Sequence, residues 1–281
     1  MAGLMDEPGR LIYCGTNCLL FRKGESALLV DPHFTRPPLL RLLGKIQPAP
    51  EKIEAGLSRL GVRQLDAVLL THTHYDHALD AVETARQTGA ILVGSASAGQ
   101  LAFSAGLETA PFQQVWPGEE VQIGGFDLCF WPSRHIHFPT PLGGLMSGPD
   151  PIPQPLKPPA WFWQYRAGEV FAIQVDRTLV FGSAAFVPGA YQGLDVDTVV
   201  LGIGGLGLRP ASYLETLYRE VVLASGAKQV CVSHWDNFFR PVGAGLRPLG
   251  RVRWTLAHLT ALAERYGQSL SLLAFGEELT L

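Results

Sequence analysis

Charged side chains are scarce in this 281-residue chain. Asp, Glu, Lys and Arg make up 17%, against about a quarter in ordinary soluble proteins. Together with 47% hydrophobic residues, that scarcity excludes a disordered polyelectrolyte and points to a large buried core. Basic runs are also lacking: the formal net charge is -3, and no Lys/Arg cluster offers a nucleic-acid surface. No apolar stretch reaches the ~20 residues of a membrane span. The longest, Val199 to Leu208, is glycine-rich and about half that length. The N-terminal residues carry Asp6 and Glu7 and no apolar segment, so a secretion signal is not expected and a cytoplasmic location is the default. Cysteines are few. Cys14, Cys18, Cys129 and Cys231 form no CxxC pair, and Cys14 and Cys18 are read as buried thiols in adjacent strands rather than as a disulfide.

What is present is a regular alternation of short strands and helices. Leu11–Cys14, Cys18–Arg22 and Ala27–Val30 read as strands separated by turn-forming residues. A helix follows Pro50, a buried strand covers Ala67–Leu70, and helical spacing resumes over Ala78–Thr88. Ala90–Val93 is a strand and Ser95–Ala105 a helix. Two hairpins are expected, one around Gly124-Gly125 and one around Asp176-Arg177. Thr198–Ile203, Gln229–Ser233 and Ser269–Phe275 read as strands, with helices at Tyr213–Ala224 and Val252–Tyr266. The pattern predicts one α/β domain over 1–281, with sheets sandwiched between helices. It is interrupted at about 138–165, where residues 138–159 hold eight prolines. Leu142, Leu145, Met146, Ile152, Leu156 and then Trp161-Phe162-Trp163 make that stretch too apolar for a linker.

Histidine outnumbers cysteine two to one, with eight residues against four. Its distribution carries the chemistry. His72-x-His74-x-Asp76-His77 leaves a buried strand and enters a helix. Imidazole and carboxylate suit a borderline divalent ion such as Zn²⁺, with Mn²⁺ or Fe as alternatives. His72 and His74, two residues apart on an extended loop, project the same way and can grip one ion, whereas Asp76 and His77 at the helix entry suit a second. His135 and His137 offer two further imidazoles on one face. Asp31, at the end of a strand, is a candidate to fix the tautomer of a ligand histidine. Asp236 and Asn237 are candidates for substrate contact or for capping a loop, as are Trp161 and Trp163 for a lid over the site or for core packing. His33 is read as an exposed loop residue, and His258 as structural.

These residues resemble the metallo-β-lactamase fold superfamily, within it the branch containing ascorbate-6-phosphate lactonases and N-acyl-phosphatidylethanolamine phospholipases. The resemblance runs in order from Leu11 to Phe275: the strand–Gly15–strand–Asp31-Pro32 opening, the HxHxDH motif at 72–77, His135 after one strand and His234 after another. It implies a four-layer αβ/βα sandwich. By similarity His72, His74 and His135 hold one metal, and Asp76, His77 and His234 the other. Where the family places an Asp bridging the metals, this chain has Ser183 after Gly182. Two dications about 4 Å apart would then lack a shared carboxylate between them. One tight ion and a second weak or absent ion are therefore expected.

The expected function is hydrolysis of an ester, lactone, amide or phosphodiester by a metal-bound hydroxide, with Asp76 and His74 at the reacting centre and a small, apolar or amphiphilic substrate. The alternative is a metal-binding or regulatory relative that lost catalysis with the bridging Asp. A homo-oligomer is compatible with either. Gly202-x-Gly204-x-x-Gly207 mimics a dinucleotide fingerprint, but Pro210 interrupts the helix entry and no acidic residue ends the next strand; it reads instead as a glycine-rich loop at the metal edge. No GxSxG elbow supports a serine hydrolase. A nuclease is disfavoured by the net charge, and a β-lactam hydrolase by the lack of a Lys or Arg near His234 before Arg240.

Overall fold

The computed structural model describes residues 8–106, 111–137 and 150–281. Its first sheet begins as an antiparallel meander of β1 (Arg10–Tyr13), β2 (Leu19–Lys23) and β3 (Ser26–Val30). Side chains alternate across it as a period of two requires. Leu11, Tyr13, Leu19, Phe21, Leu28 and Val30 face one core, and Ile12, Leu20 and Leu29 face another. The chain then passes through α1 (Pro50–Arg59) into β4 (Ala67–Leu69). It continues through α2 (Tyr75–Ala78), α3 (Ala81–Thr88), β5 (Ile91–Gly94), α4 (Ala96–Ala105) and β6 (Phe112–Gln114). From β3 to β6 all pairings are parallel.

The second sheet is built from β7 (Glu120–Ile123), β8 (Phe126–Pro132), β9 (Phe171–Val175) and β10 (Thr178–Phe181), paired antiparallel. The β7–β8 turn needs two residues of positive φ, which Gly124 (58°) and Gly125 (76°) supply. β11 (Thr198–Gly202), β12 (Gln229–Ser233) and β13 (Ser269–Leu272) extend this sheet in parallel, connected by α5 (Ala211–Tyr218) and α6 (Val252–Tyr266). β14 (Glu278–Thr280) then returns to pair with β1, completing two sheets of seven strands each among the described residues. One buried cluster joins the facing sheets, from Leu11, Phe21 and Leu69 to Phe130, Val180 and Val200. α1, α3 and α4 cover the outer face of the first sheet through Ile53, Leu57, Ala85 and Leu101, while α5 and α6 pack on the second through Leu214, Leu217 and Leu259. The architecture is the αβ/βα sandwich.

This topology points the C-terminal ends of several strands to one edge. β3 and β4 run parallel, as do β10, β11 and β12, and β8 lies two antiparallel steps from β10. Asp31, the 71–77 loop, His135, Ser183 and His234 follow those ends. In open α/β sheets this is where ligands bind, because the connecting loops there are free of strand pairing.

The structure departs from the sequence expectations at identifiable points. The helix expected over 78–88 is two short helices. Asp80 lies between them, and its Oδ2 accepts the backbone N–H groups of Phe34 (2.6 Å) and Thr35 (2.7 Å). β6 and β14 have no apolar pattern to announce them, and a five-residue turn of helix at Leu39–Leu43 follows two prolines. All four cysteines are buried free thiols. In the proline-rich insertion, 138–149, including Leu142, Leu145 and Met146, lies outside the described residues. Its remainder is irregular except for a short turn at Phe162–Gln164, and Ile152, Leu156 and Ala160 are buried against the first sheet's helices.

Burial pushes the Asp80 carboxyl up to about 6 from its ordinary 3.8, even against the N–H groups it accepts. A folded-state pKa above the unfolded one contributes stability at low pH, and that contribution is lost as pH rises through about 6. Asp80→Asn is therefore expected to raise stability over wild type by about 2 kcal/mol at pH 8 and by little at pH 4, as read by urea unfolding at both pH values.

Candidate metal centre

Two clusters of donors sit side by side at the shared edge. In each, every residue offers one ligand atom within 4.8 Å of the others: His72, His74 and His135 in one, Asp76, His77 and His234 in the other. The rings are in close contact, with centroids 3.9 Å apart for His72–His77, 4.3 Å for His74–His135 and 5.3 Å for His77–His234. Burial and the neighbouring imidazoles hold His72 and His135 well below the ordinary histidine range, so both keep a neutral ring with an available lone pair. His77 goes the other way. Burial pulls it down, but Asp31 and Asp76 outweigh that and raise it. Asp76 is raised by burial and lowered more by His77 and His234, so it stays ionised.

The residues behind the rings set which nitrogen faces the site. Asp31, fully buried and at positive φ (45°), lies 2.7 Å from His77 Nδ1. It also accepts the Thr71 N–H (2.8 Å), the Thr71 hydroxyl (2.6 Å) and the Asn17 amide (2.8 Å). The Thr71 hydroxyl proton is thus committed to Asp31. Its oxygen, 3.1 Å from His72 Nδ1, acts as acceptor for that ring. His72 Nε2 is then the lone-pair nitrogen, and it is buried without any hydrogen-bond partner. His135 Nδ1 lies 2.8 Å from the Ile136 carbonyl, which likewise leaves Nε2 basic. An orphaned buried imidazole nitrogen with further imidazoles and a carboxylate beside it is a donor set that fits a divalent ion.

Asn17 links the two halves. Its Nδ2 donates to Asp31, and its Oδ1 accepts the Ser233 hydroxyl at 2.6 Å. One buried amide therefore spans from the residue supporting His77 to the residue preceding His234. His234 has positive φ (55°), and its N–H donates to the Thr16 carbonyl. Gly204 is needed beside it, since a Cβ there would lie 2.9 Å from His234 Nδ1.

Other expected site residues lie elsewhere. His137 is exposed and belongs to neither cluster. Asp236 is not a substrate contact: it is fully buried, paired with the equally buried Arg36, and accepts the Tyr13 hydroxyl and the Thr16 N–H. Asn237 caps its own loop, accepting the Phe239 N–H at 3.1 Å. Trp161 and Trp163 stack on each other with centroids 4.7 Å apart and are not among the described residues that line the cavity. His33 is fully buried rather than exposed, edge-on to Tyr75 and Phe238. Burial, then the Arg36 charge, lowers its pKa to about 3. His258 is half-buried on α6 against Trp254. Ser183 Oγ accepts the Ile136 N–H at 2.9 Å, which fixes the loop that carries His135.

The cavity above the clusters measures about 290 Å³. Its floor is His74, Asp76, His77, His135, Ser183 and His234. Its walls come from the second half of the chain: Ile203, Leu208, Phe238, Phe239, Leu249 and Val252, with the glycine-rich 204–207 loop. Sequence reasoning missed Asn17, Thr71, Ser233 and these walls. The glycine-rich loop was the one available signal for the last.

Asn17→Ala is expected to weaken the Asp76/His77/His234 site by about 10- to 100-fold and to leave the His72/His74/His135 site within a few-fold. Calorimetric zinc titration of the metal-free protein reads both.

Comparison with known proteins places these features. The profile of the metallo-beta-lactamase superfamily matches residues 11–170. A "UPF0173 metal-dependent hydrolase" of Rubrobacter xylanophilus is 27% identical over 69% of this chain and 70% of its own length. Further relatives, two from Ruegeria among them, are matched over about half of their length. Among solved structures, Igni18, a metallo hydrolase of Ignicoccus hospitalis, superposes over 98% of this chain and 99% of its own with a TM-score of 0.57 at 16% identity. An isothiocyanate hydrolase from Delia radicum gut bacteria superposes over 97% and 99%, with a TM-score of 0.59 at 16% identity. The matched family profile, the shared fold and the two donor clusters lead to one conclusion: the chain belongs to the metallo-beta-lactamase superfamily and is a metal-dependent hydrolase.

Proposed function

We propose that this hydrolase cleaves an ester, lactone, amide or phosphodiester bond in a small, largely apolar substrate, using one ion held tightly at His72, His74 and His135. The observation that carries this reading is the cavity itself, an apolar-walled space of about 290 Å³ whose floor holds all the donors except His72. Zn²⁺ is the ion that three imidazoles suit best, with Mn²⁺ and Fe as alternatives. Such an ion, when bound, lowers the pKa of a coordinated water toward about 7 and polarises the electrophile.

The chain's own residues supply the rest. Thr71 and the Ile136 carbonyl orient the rings of His72 and His135 so that their Nε2 atoms converge. Asp76, beside the first cluster, orients the attacking water and takes its proton. Leu208, Phe238, Phe239 and Val252 bind the apolar body of the substrate and exclude bulk water. Arg251 is the one Lys or Arg among the described residues that line the cavity, and its guanidinium lies over the Trp254 ring, 4.6 Å from the centroid. Gly204, Gly205 and Gly207 let the substrate approach backbone closely.

Ser183 favours a second reading, a metal-binding relative without turnover. Its hydroxyl is engaged by the Ile136 N–H, and Asp76 is the only carboxylate in the two clusters. Two measurements separate the readings. Protein purified without added metal is expected to contain about one ion per chain; two tight ions would overturn the single-ion proposal. Across a panel of ester, lactone, amide and bis-nitrophenyl phosphate substrates, His74→Ala is expected to lower kcat/KM by about 10³. Equal, negligible rates for both proteins would favour the non-catalytic reading.

A further inference from the structure

The face next to the metal edge carries a surface that hydrolysis does not use. Leu39, Leu40 and Leu43 are 61%, 80% and 80% exposed on one short helical turn. Single exposed leucines are ordinary, but three on five consecutive residues are not. The turn is anchored on both sides. Pro37-Pro38 lead into it, Leu42 points into the core, and Ile46 pairs with Ala160 through two backbone hydrogen bonds of 2.7 and 3.0 Å. That antiparallel bridge sets the end of the leucine turn alongside Trp161–Trp163.

Cationic side chains gather in one hollow of this face. Lys45, Lys157 and Arg166 line a hollow of about 430 Å³ together with Trp163 and Pro153, Pro155 and Pro159. Among the described residues no carboxylate lines it. Asp150 reaches Arg166 from outside at 3.6 Å, as an exposed pair. Arg41 lies within the leucine turn itself, and Lys52 with Glu51 lies on its far side. A cationic hollow beside an apolar ridge, in a chain of net charge -3, is complementary to a surface that is itself anionic outside and apolar within. Indole rings at the rim suit such a boundary. A second copy docked symmetrically would instead set one cationic patch against another.

We propose that this face docks on an anionic phospholipid bilayer, with Leu39, Leu40 and Leu43 entering the acyl boundary and a headgroup phosphate seated among Lys45, Lys157 and Arg166. Among the described residues no helix is long and apolar enough to cross a membrane, so the association is peripheral. The docked face adjoins the metal edge, because Phe162 packs edge-on against Tyr75, which sits between His74 and Asp76. Neither the identity of the substrate nor turnover is needed for the docking.

Co-sedimentation of the metal-loaded protein with vesicles tests this. Binding is expected to phosphatidylcholine vesicles carrying about one-third phosphatidylglycerol, and to be about tenfold weaker or more on phosphatidylcholine alone. Raising salt from about 0.1 to about 0.5 M should release the protein. Lys45→Glu with Lys157→Glu should weaken binding by roughly twentyfold or more, and Leu40→Ser with Leu43→Ser by roughly tenfold or more. All four substitutions are on exposed side chains, so metal content and hydrolysis of a water-soluble ester should be unchanged. The proposal is overturned if wild type fails to pellet with the anionic vesicles, or if either double variant pellets equally well. It is also overturned if sedimentation velocity shows a dimer that the leucine variant dissociates while no vesicle binding occurs.

Discussion

The structure turns on one buried carboxylate. Asp31 ends β3 in a left-handed conformation and collects donors from three separate segments: the Asn17 amide, the Thr71 backbone and hydroxyl, and His77 Nδ1. A charge with no exposure to water is tolerated only when it is fully hydrogen-bonded, and here each donor does a second task. Thr71 orients His72, Asn17 reaches across to Ser233, and His77 turns its other nitrogen toward the cavity. The geometry of both clusters therefore depends on a residue that belongs to neither.

The sandwich explains why such a residue is available. Parallel pairing on each sheet puts successive strand ends at one edge, so loops far apart in sequence meet there. Asn17 and Ser233 are 216 residues apart and joined by one hydrogen bond. Burial of both sheet faces forces the polar side chains at these ends to find partners among themselves. The result is a connected network in which Tyr13, Thr16, Arg36 and Asp236 form a second branch behind His234.

Ser183 shows how a departure from a family pattern acquires a structural meaning. It stands where a metal-bridging carboxylate was expected, and its hydroxyl instead accepts the N–H next to His135. The position still serves the metal edge, now by holding a loop rather than by offering charge. The proline-rich insertion is a parallel case. Its aromatics looked placed to cover the site, yet Trp161 and Trp163 stack on each other, and only Phe162 reaches Tyr75. The cavity takes its apolar wall from Leu208, Phe238, Phe239 and Val252, which carry no distinguishing pattern in the sequence.

What the sequence by itself determined was local. Alternating apolar strands, helical spacing, and HxHxDH leaving a strand gave the layers and four of the six donors, because period and spacing are written in consecutive residues. His135 and His234 were legible only through resemblance, since nothing within their own segments marks them as ligands. Tertiary structure alone decided the rest. It made Asp236 a buried partner of Arg36 rather than a substrate contact, buried His33, and brought Lys45, Lys157 and Arg166 into one hollow although no basic cluster exists along the chain. The physical reason is the same in each case. Burial and long-range pairing depend on which strand ends share an edge, and residues separated by a hundred positions or more carry no local trace of that meeting.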